Sequence, residues 1–172
     1  MTSLKYKSIR NFVPKSGFYN NHLALIAGLY FYNKYNVAPD IKLNELNLSA
    51  ANGEKFDINT LKGKKLVIAF YASWCGNCLE ELEEINKNKN TELQDIEIIC
   101  ITDESLELLN DFKNKKLYPF TFLKLNTRFS EIGIYSIPVT YIVNKDLKIV
   151  KEQVGYLHWD DPSTLNHIKG LY

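Results

Sequence analysis

The sequence predicts an α/β domain with a central mixed sheet flanked by helices. Three observations carry this. Short apolar runs rich in β-branched and aromatic residues alternate with helical-period segments between Leu66 and Phe112. An Asn52-Gly53 turn signal ahead of them marks a hairpin, and a second hairpin pattern followed by a capped helix closes the chain. At 172 residues the chain is one domain, or one domain with an appendage, and it buries roughly two-thirds of its unfolded surface. It therefore needs no disulfide scaffold, and three cysteines would be too few for one.

The elements follow in order. Leu23 to Tyr32 is an uncharged run after a start rich in Lys and Arg, the order of a signal sequence or signal anchor. Ten helical residues rise about 15 Å, against a hydrocarbon core of about 30 Å, so a simple spanning helix is not predicted. Small residues suited to a cleavage site are lacking before Pro39. Residues 1–36 are read as a basic N-terminal segment: an anchor, a signal remnant or a packed amphipathic helix, with 16–33 as the stretch for membrane association.

From Val37 the pattern changes. Ile41, Leu43, Leu46 and Leu48 before Asn52-Gly53, and Phe56 and Ile58 after it, predict a β-hairpin. Leu66 to Tyr71 is an apolar run of six, as in a strand buried on both faces. Cys75, Leu79, Leu82 and Ile85 then line one face of a helix. Ile96 to Ile101 predicts a second buried strand, and Leu106, Leu109 and Phe112 a second helix. Phe120 to Leu125 reads as a short strand, Phe129 to Tyr135 as a short helix or turn, and Val139 to Val143 as a strand paired with Leu147 to Val154. Asp161 as N-cap and Pro162 at the first helical position open a last helix to Ile168.

Charge narrows the function. Met1 to Pro39 holds five basic residues and no acid, whereas from Asp40 onward 16 bases face 20 acids. Positive charge on a short tail, with an acidic domain behind it, excludes a basic nucleic-acid-binding domain.

The chemistry concentrates in Trp74-Cys75-Gly76-Asn77-Cys78, between a buried strand and an amphipathic helix. There the unpaired N–H groups of the first helical turn and the helix dipole favour a thiolate over a thiol of ordinary pKa about 8.5. Cys75 is the candidate nucleophile. Cys78, two residues further on, can attack a mixed disulfide formed at Cys75 and release the partner. Half a zinc site is the competing use of the motif, but structural zinc wants four ligands. The remaining candidates are Cys100, in a predicted core strand, and the scattered His22, His158 and His167. No metal and no cofactor are called for.

With these residues in place, the chain resembles the thioredoxin superfamily, and within it the TlpA/ResA-like branch of extracytoplasmic thiol-disulfide oxidoreductases. The resemblance covers about Val37 to Ile168. It rests on Ala38-Pro39-Asp40, on Leu61-Lys62-Gly63-Lys64, on Phe70 to Cys78 and on Ile137-Pro138-Val139-Thr140, in that order. It implies a thioredoxin-like fold over residues 37–172, with an N-terminal β-hairpin and a helix-strand insertion between Ile96 and Leu125. It implies catalytic roles for Cys75 and Cys78, a cis-proline at Pro138 beside them, and Trp74, Ile137 and Pro138 as substrate contacts. Gly155 matches a glycine after the last strand. Glu81 stands where this branch carries a glutamate near the dithiol, where it could exchange the proton of Cys78. The same helix carries Glu80, Glu83 and Glu84, so a solvated acidic face is the alternative.

Departures bear on direction. Ala69 replaces the buried aspartate of thioredoxin, Asn77 stands between the cysteines, and Glu83 replaces a helix-kinking proline. Reduction is favoured from the Trp74-Cys75-Gly76 start. The partners implied are protein thiols and disulfides and an upstream thiol-disulfide electron donor or acceptor, with no nucleic acid. The implied location is the cell envelope or periplasm, with a cytoplasmic alternative. Two other functions compete: a peroxiredoxin-like peroxidase, which would want threonine at Ala72, and a non-enzymatic thioredoxin-fold adaptor.

Overall fold

A computed structural model of the protein describes residues 17–172. The basic residues Lys5, Lys7, Arg10 and Lys15 lie outside the described residues.

Helix α1 (Gly17–Asn36) includes the uncharged run and presents Leu23, Leu25, Ile26, Leu29, Phe31 and Tyr32 to solvent. Its contacts with the domain gather at its C-terminal end. The Ser136 hydroxyl donates to the Tyr35 carbonyl at 2.7 Å, the Tyr35 and Tyr135 rings meet edge to face, and Lys34 Nζ lies 4.4 Å from the centre of the Tyr135 ring. No helix among the described residues is long and apolar enough to cross a membrane.

Strands β1 (Leu48–Ala50) and β2 (Lys55–Phe56) form the expected hairpin, with Gly53 at φ 85° as the turn requires. They are shorter than the apolar pattern implied: Leu43 and Ile58 fall in 3₁₀ turns, where each still points into the core. Then come β3 (Lys65–Phe70), α2 (Gly76–Asn88), β4 (Ile96–Thr102), α3 (Leu106–Lys116), β5 (Thr121–Leu125), β6 (Val139–Val143), β7 (Ile149–Val154) and α4 (Pro162–Lys169). The Asp161 side chain caps α4 by accepting the Ser163 amide at 2.8 Å.

The seven strands form one sheet in the order β2-β1-β5-β4-β3-β6-β7. β3, β4 and β5 are parallel, and the remaining pairings are antiparallel. Alternation along β3 divides the core. Val67 and Ala69, with Tyr71 just beyond, face a cluster built with α2, α3 and α4, including Leu82, Ile85, Leu109, Phe112, Leu165 and Ile168. Leu66, Ile68 and Phe70 face a second cluster with Ile41, Leu43, Ile58, Leu61, Phe129 and Tyr141. The second face is thus covered by 3₁₀ turns and loops. Both faces being buried explains why β3 reads as a continuous apolar run from Leu66, and β4 as one from Ile98 to Ile101.

Candidate active site

β3 ends at Phe70 in the middle of the sheet, and the chain leaves it through Tyr71-Ala72-Ser73-Trp74 to enter α2. Glu104, just past β4, holds this exit. Its carboxylate accepts the Ser73 amide and the Ser73 hydroxyl, each at 2.7 Å, and the Thr102 hydroxyl at 3.1 Å. Charge-assisted bonds of this kind are about twice as strong as neutral ones.

Cys75 is the N-cap of α2, and its Sγ accepts the Cys78 amide at 3.3 Å. That amide is one of the orphan donors of the first turn, so negative charge on the sulfur is stabilised there. Cys75 and Cys78 are joined as a disulfide. Cys75 keeps 8% of its surface accessible and Cys78 only 1%. The peptide bond Ile137-Pro138 is cis, and the Ile137 carbonyl oxygen lies 4.0 Å from Cys75 Sγ. Trp74 is 75% exposed at the rim. Trp74, Phe129, Ile134, Tyr135 and Ile137, with Asp103 and Arg128 among its polar members, line a mostly apolar cavity of about 310 Å³ that adjoins the disulfide through Trp74 and Ile137.

Glu81 does not lie on a solvated face. It is 1% exposed, one helical turn beyond Cys78, while Glu80 stays in solvent. Its Oε1 accepts the Thr140 hydroxyl at 2.6 Å and the Trp159 indole N–H at 3.2 Å, and Oε2 accepts the Leu157 amide at 3.4 Å. Burial pushes its carboxyl up to about 6; these three hydrogen bonds pull the other way, and the nearby Glu84 charge adds a small upward push. The segment carrying Leu157 and Trp159 is strapped to α2 a second time. Glu84 accepts the Trp159 amide at 2.8 Å and the Tyr156 hydroxyl, and Asn88 donates to the Trp159 carbonyl at 2.9 Å.

The other sequence candidates fall away from this centre. Cys100 is fully buried in β4, and burial pushes its thiol up, so it stays protonated. Glu83 pairs with Tyr118 and Lys116 on the outside of α2. Among the described residues one cluster has metal-ligand types, Glu84, His158 and Asp160; it contains neither active-site cysteine, and the Glu84 oxygens already hold Trp159 and Tyr156. Sequence reasoning missed Glu104 and Trp159. Each sits in a loop without periodicity, and only the fold brings it to α2 or its approach.

The profile of the AhpC/TSA family matches residues 35–152. Thiol-disulfide oxidoreductase ResA of Bacillus subtilis is 27% identical over 143 residues, spanning 80% of this chain and 76% of that protein. The sporulation thiol-disulfide oxidoreductase A of the same organism is 24% identical, spanning 63% and 69%. Among solved structures, the exposed lipoprotein thioredoxin Etrx1 of Streptococcus pneumoniae superposes with a TM-score of 0.56 at 24% identity, covering 72% of this chain and 97% of that one. A secreted disulfide oxidoreductase of Mycobacterium tuberculosis, described as homologous to E. coli DsbE, superposes at 0.60 with 16% identity, covering 74% and 96%. These neighbours share the thioredoxin-like fold.

Proposed function

The chain belongs to the AhpC/TSA family and is a thiol-disulfide oxidoreductase of the ResA/DsbE type, and from that premise we propose the course of its reaction. Cys75 is the attacking thiol and Cys78 the resolving one. The observation that carries this is the unequal setting of the two sulfurs: Cys75 caps α2 and reaches the surface, while Cys78 is buried beneath it.

The dithiol reduces disulfides in partner proteins. The Cys75 thiolate attacks a partner disulfide; a Cys75–partner bond forms and the first partner sulfur leaves as a thiolate that takes up a proton. Cys78 then gives its proton to the Glu81 carboxylate and attacks Cys75 Sγ. The Cys75–Cys78 bond forms, the Cys75–partner bond breaks, and the second partner sulfur leaves and is protonated. The partner gains two electrons and the enzyme dithiol loses them; an upstream thiol donor restores it.

Trp74, Ile137 and Pro138 receive the partner segment. Trp74 and Ile137 line the cavity, the Ile137 carbonyl lies 4.0 Å from Cys75 Sγ, and Pro138 follows Ile137 through the cis bond, which supports that role. A peroxidase course is disfavoured, because buried Ala72 stands where such an enzyme wants threonine.

We place the protein outside the cytoplasm, at the cell envelope, with residues 1–36 as a locating segment and 37–172 as the catalytic domain. The exposed apolar side chains of α1 and the basic residues ahead of it support this.

Trapping tests the assignment. Cys78→Ser stalls the mixed disulfide, and mass spectrometry finds partner peptides on Cys75; capture through another residue, or reductase activity in Cys75→Ser, overturns it. The direction is tested separately by the reduction potential, expected nearer the about −270 mV of thioredoxin than the about −120 mV of a strong oxidant.

A further inference from the structure

Glu81 is held by donors from two elements that are far apart in sequence. Thr140 comes from β6, two residues after the cis-proline, and Trp159 from the strap between β7 and α4. Both bonds end on the same oxygen, Oε1. An oxygen accepting two side-chain donors is fixed in direction as well as in charge. It leaves Oε2 with only the long Leu157 bond.

The indole N–H can only donate, so its bond favours the carboxylate oxygen as acceptor in every geometry it adopts. Trp159 is itself fully buried and anchored through its amide and carbonyl to Glu84 and Asn88. The donor therefore does not swing away when the carboxyl changes state. The groups facing Glu81 are few. On its own helix stand Glu84, whose charge opposes ionisation, and Cys78 one turn before it. β4 contributes Cys100, which stays a neutral thiol. β6 and the strap contribute only Thr140, Trp159 and the Leu157 amide.

We propose that Trp159 and Thr140 are positioning residues of the exchange reaction, acting through Glu81 to aim its carboxylate and to set the pH at which it can take the proton of Cys78. This rests on the reading of Glu81 as proton acceptor. A hydrogen bond to the charged form favours ionisation, so losing one moves the titration upward. Removing the Trp159 bond shifts the midpoint up by about one pH unit, and removing the shorter Thr140 bond shifts it by at least as much.

The test compares wild type, Trp159→Phe, Thr140→Val and Glu81→Gln as full-length proteins. Glutathione disulfide serves as the probe. The rate at which the mixed disulfide resolves is followed from pH 4 to 9, with far-UV circular dichroism as the check on folding. The wild-type profile breaks near 6, both positioning variants break about one pH unit higher, and Glu81→Gln loses that break and keeps only the rise of the thiol itself, ordinarily at about 8.5. A second readout uses Trp74→Phe, which leaves Trp159 as the one tryptophan of the two in the chain. Its emission titrates with the same midpoint, and Glu81→Gln abolishes that titration. If Glu81→Gln loses the break near 6 but Trp159→Phe and Thr140→Val keep it, the positioning roles are wrong and the Glu81 reading stands. If Glu81→Gln keeps the break, the Glu81 reading itself fails. Should Trp159→Phe not fold, Thr140→Val decides alone, an unmoved break overturning the proposal and a raised one supporting it.

Discussion

Ser73 and Glu104 are joined twice, the Ser73 amide and the Ser73 hydroxyl each donating to the Glu104 carboxylate at 2.7 Å. The link ties the exit of β3 to the loop after β4, and Cys75 lies two residues beyond it. It fixes the backbone that delivers Cys75 to the start of α2.

Glu104→Ala is therefore expected to lower stability by about 2 kcal/mol, since it strands a half-buried amide and removes the charge-assisted bonds from the Ser73 amide, the Ser73 hydroxyl and the Thr102 hydroxyl. Exchange through Cys75 should slow as well. Urea unfolding of the oxidised protein measures the first effect and reduction of a model disulfide the second. Glu104→Gln, which keeps an acceptor oxygen, should lose less of both.

Glu81 makes stability depend on pH in a particular window. Its carboxyl is raised from 4.5 to about 6, so between those values the native protein binds the proton more tightly than the unfolded chain. Stability from this group is thus highest below about pH 4.5, falls as pH rises to about 6 and is level above. The loss is about 2 kcal/mol across the window. The difference between wild type and Glu81→Gln in unfolding free energy, followed from pH 4 to 8, should trace that fall.

Tyr71 carries a buried hydroxyl with no hydrogen-bond partner among the described residues, and burial pushes its phenol well up, so it stays neutral. Its ring packs against Phe112 and Phe122. Tyr71→Phe keeps those contacts and removes the unsatisfied group, so the melting temperature should hold or rise, by the equivalent of about 1 kcal/mol. A loss of stability would contradict this.

The core begins at Ile41, and the α1 side chains from His22 to Phe31 are exposed. A chain trimmed to residues 37–172 loses the Tyr35 and Lys34 contacts with Ser136 and Tyr135 but, among the described residues, no buried side chain, so urea unfolding should show it less stable by only about 1 kcal/mol. Its thiol exchange with a soluble disulfide should be unchanged.

The order of elements was legible because this sheet buries both faces at its centre. β3 is a continuous apolar run from Leu66, β4 and β6 are apolar but for Glu97, Thr102 and Thr140, and α4 carries its start signal in Asp161-Pro162. What pattern could not show was the setting of Glu81. In sequence it is one of four acids in α2, and only the arrival of Thr140 and Trp159 separates it from Glu80 and Glu83. The hairpin strands came out short for a similar reason. Leu43 and Ile58 reach the core from 3₁₀ turns, and an apolar side chain aimed inward looks the same in either setting.

The joint between α1 and the domain has a consequence for geometry in space. Tyr35 is pinned by Ser136, and Ser136 stands two residues before the proline beside the disulfide. A 20-residue helix is about 30 Å long, so whatever grips its far end works a lever whose fulcrum is the rim of the reaction centre. A grip there acts on the segment that carries Ser136, Ile137 and Pro138, next to Cys75.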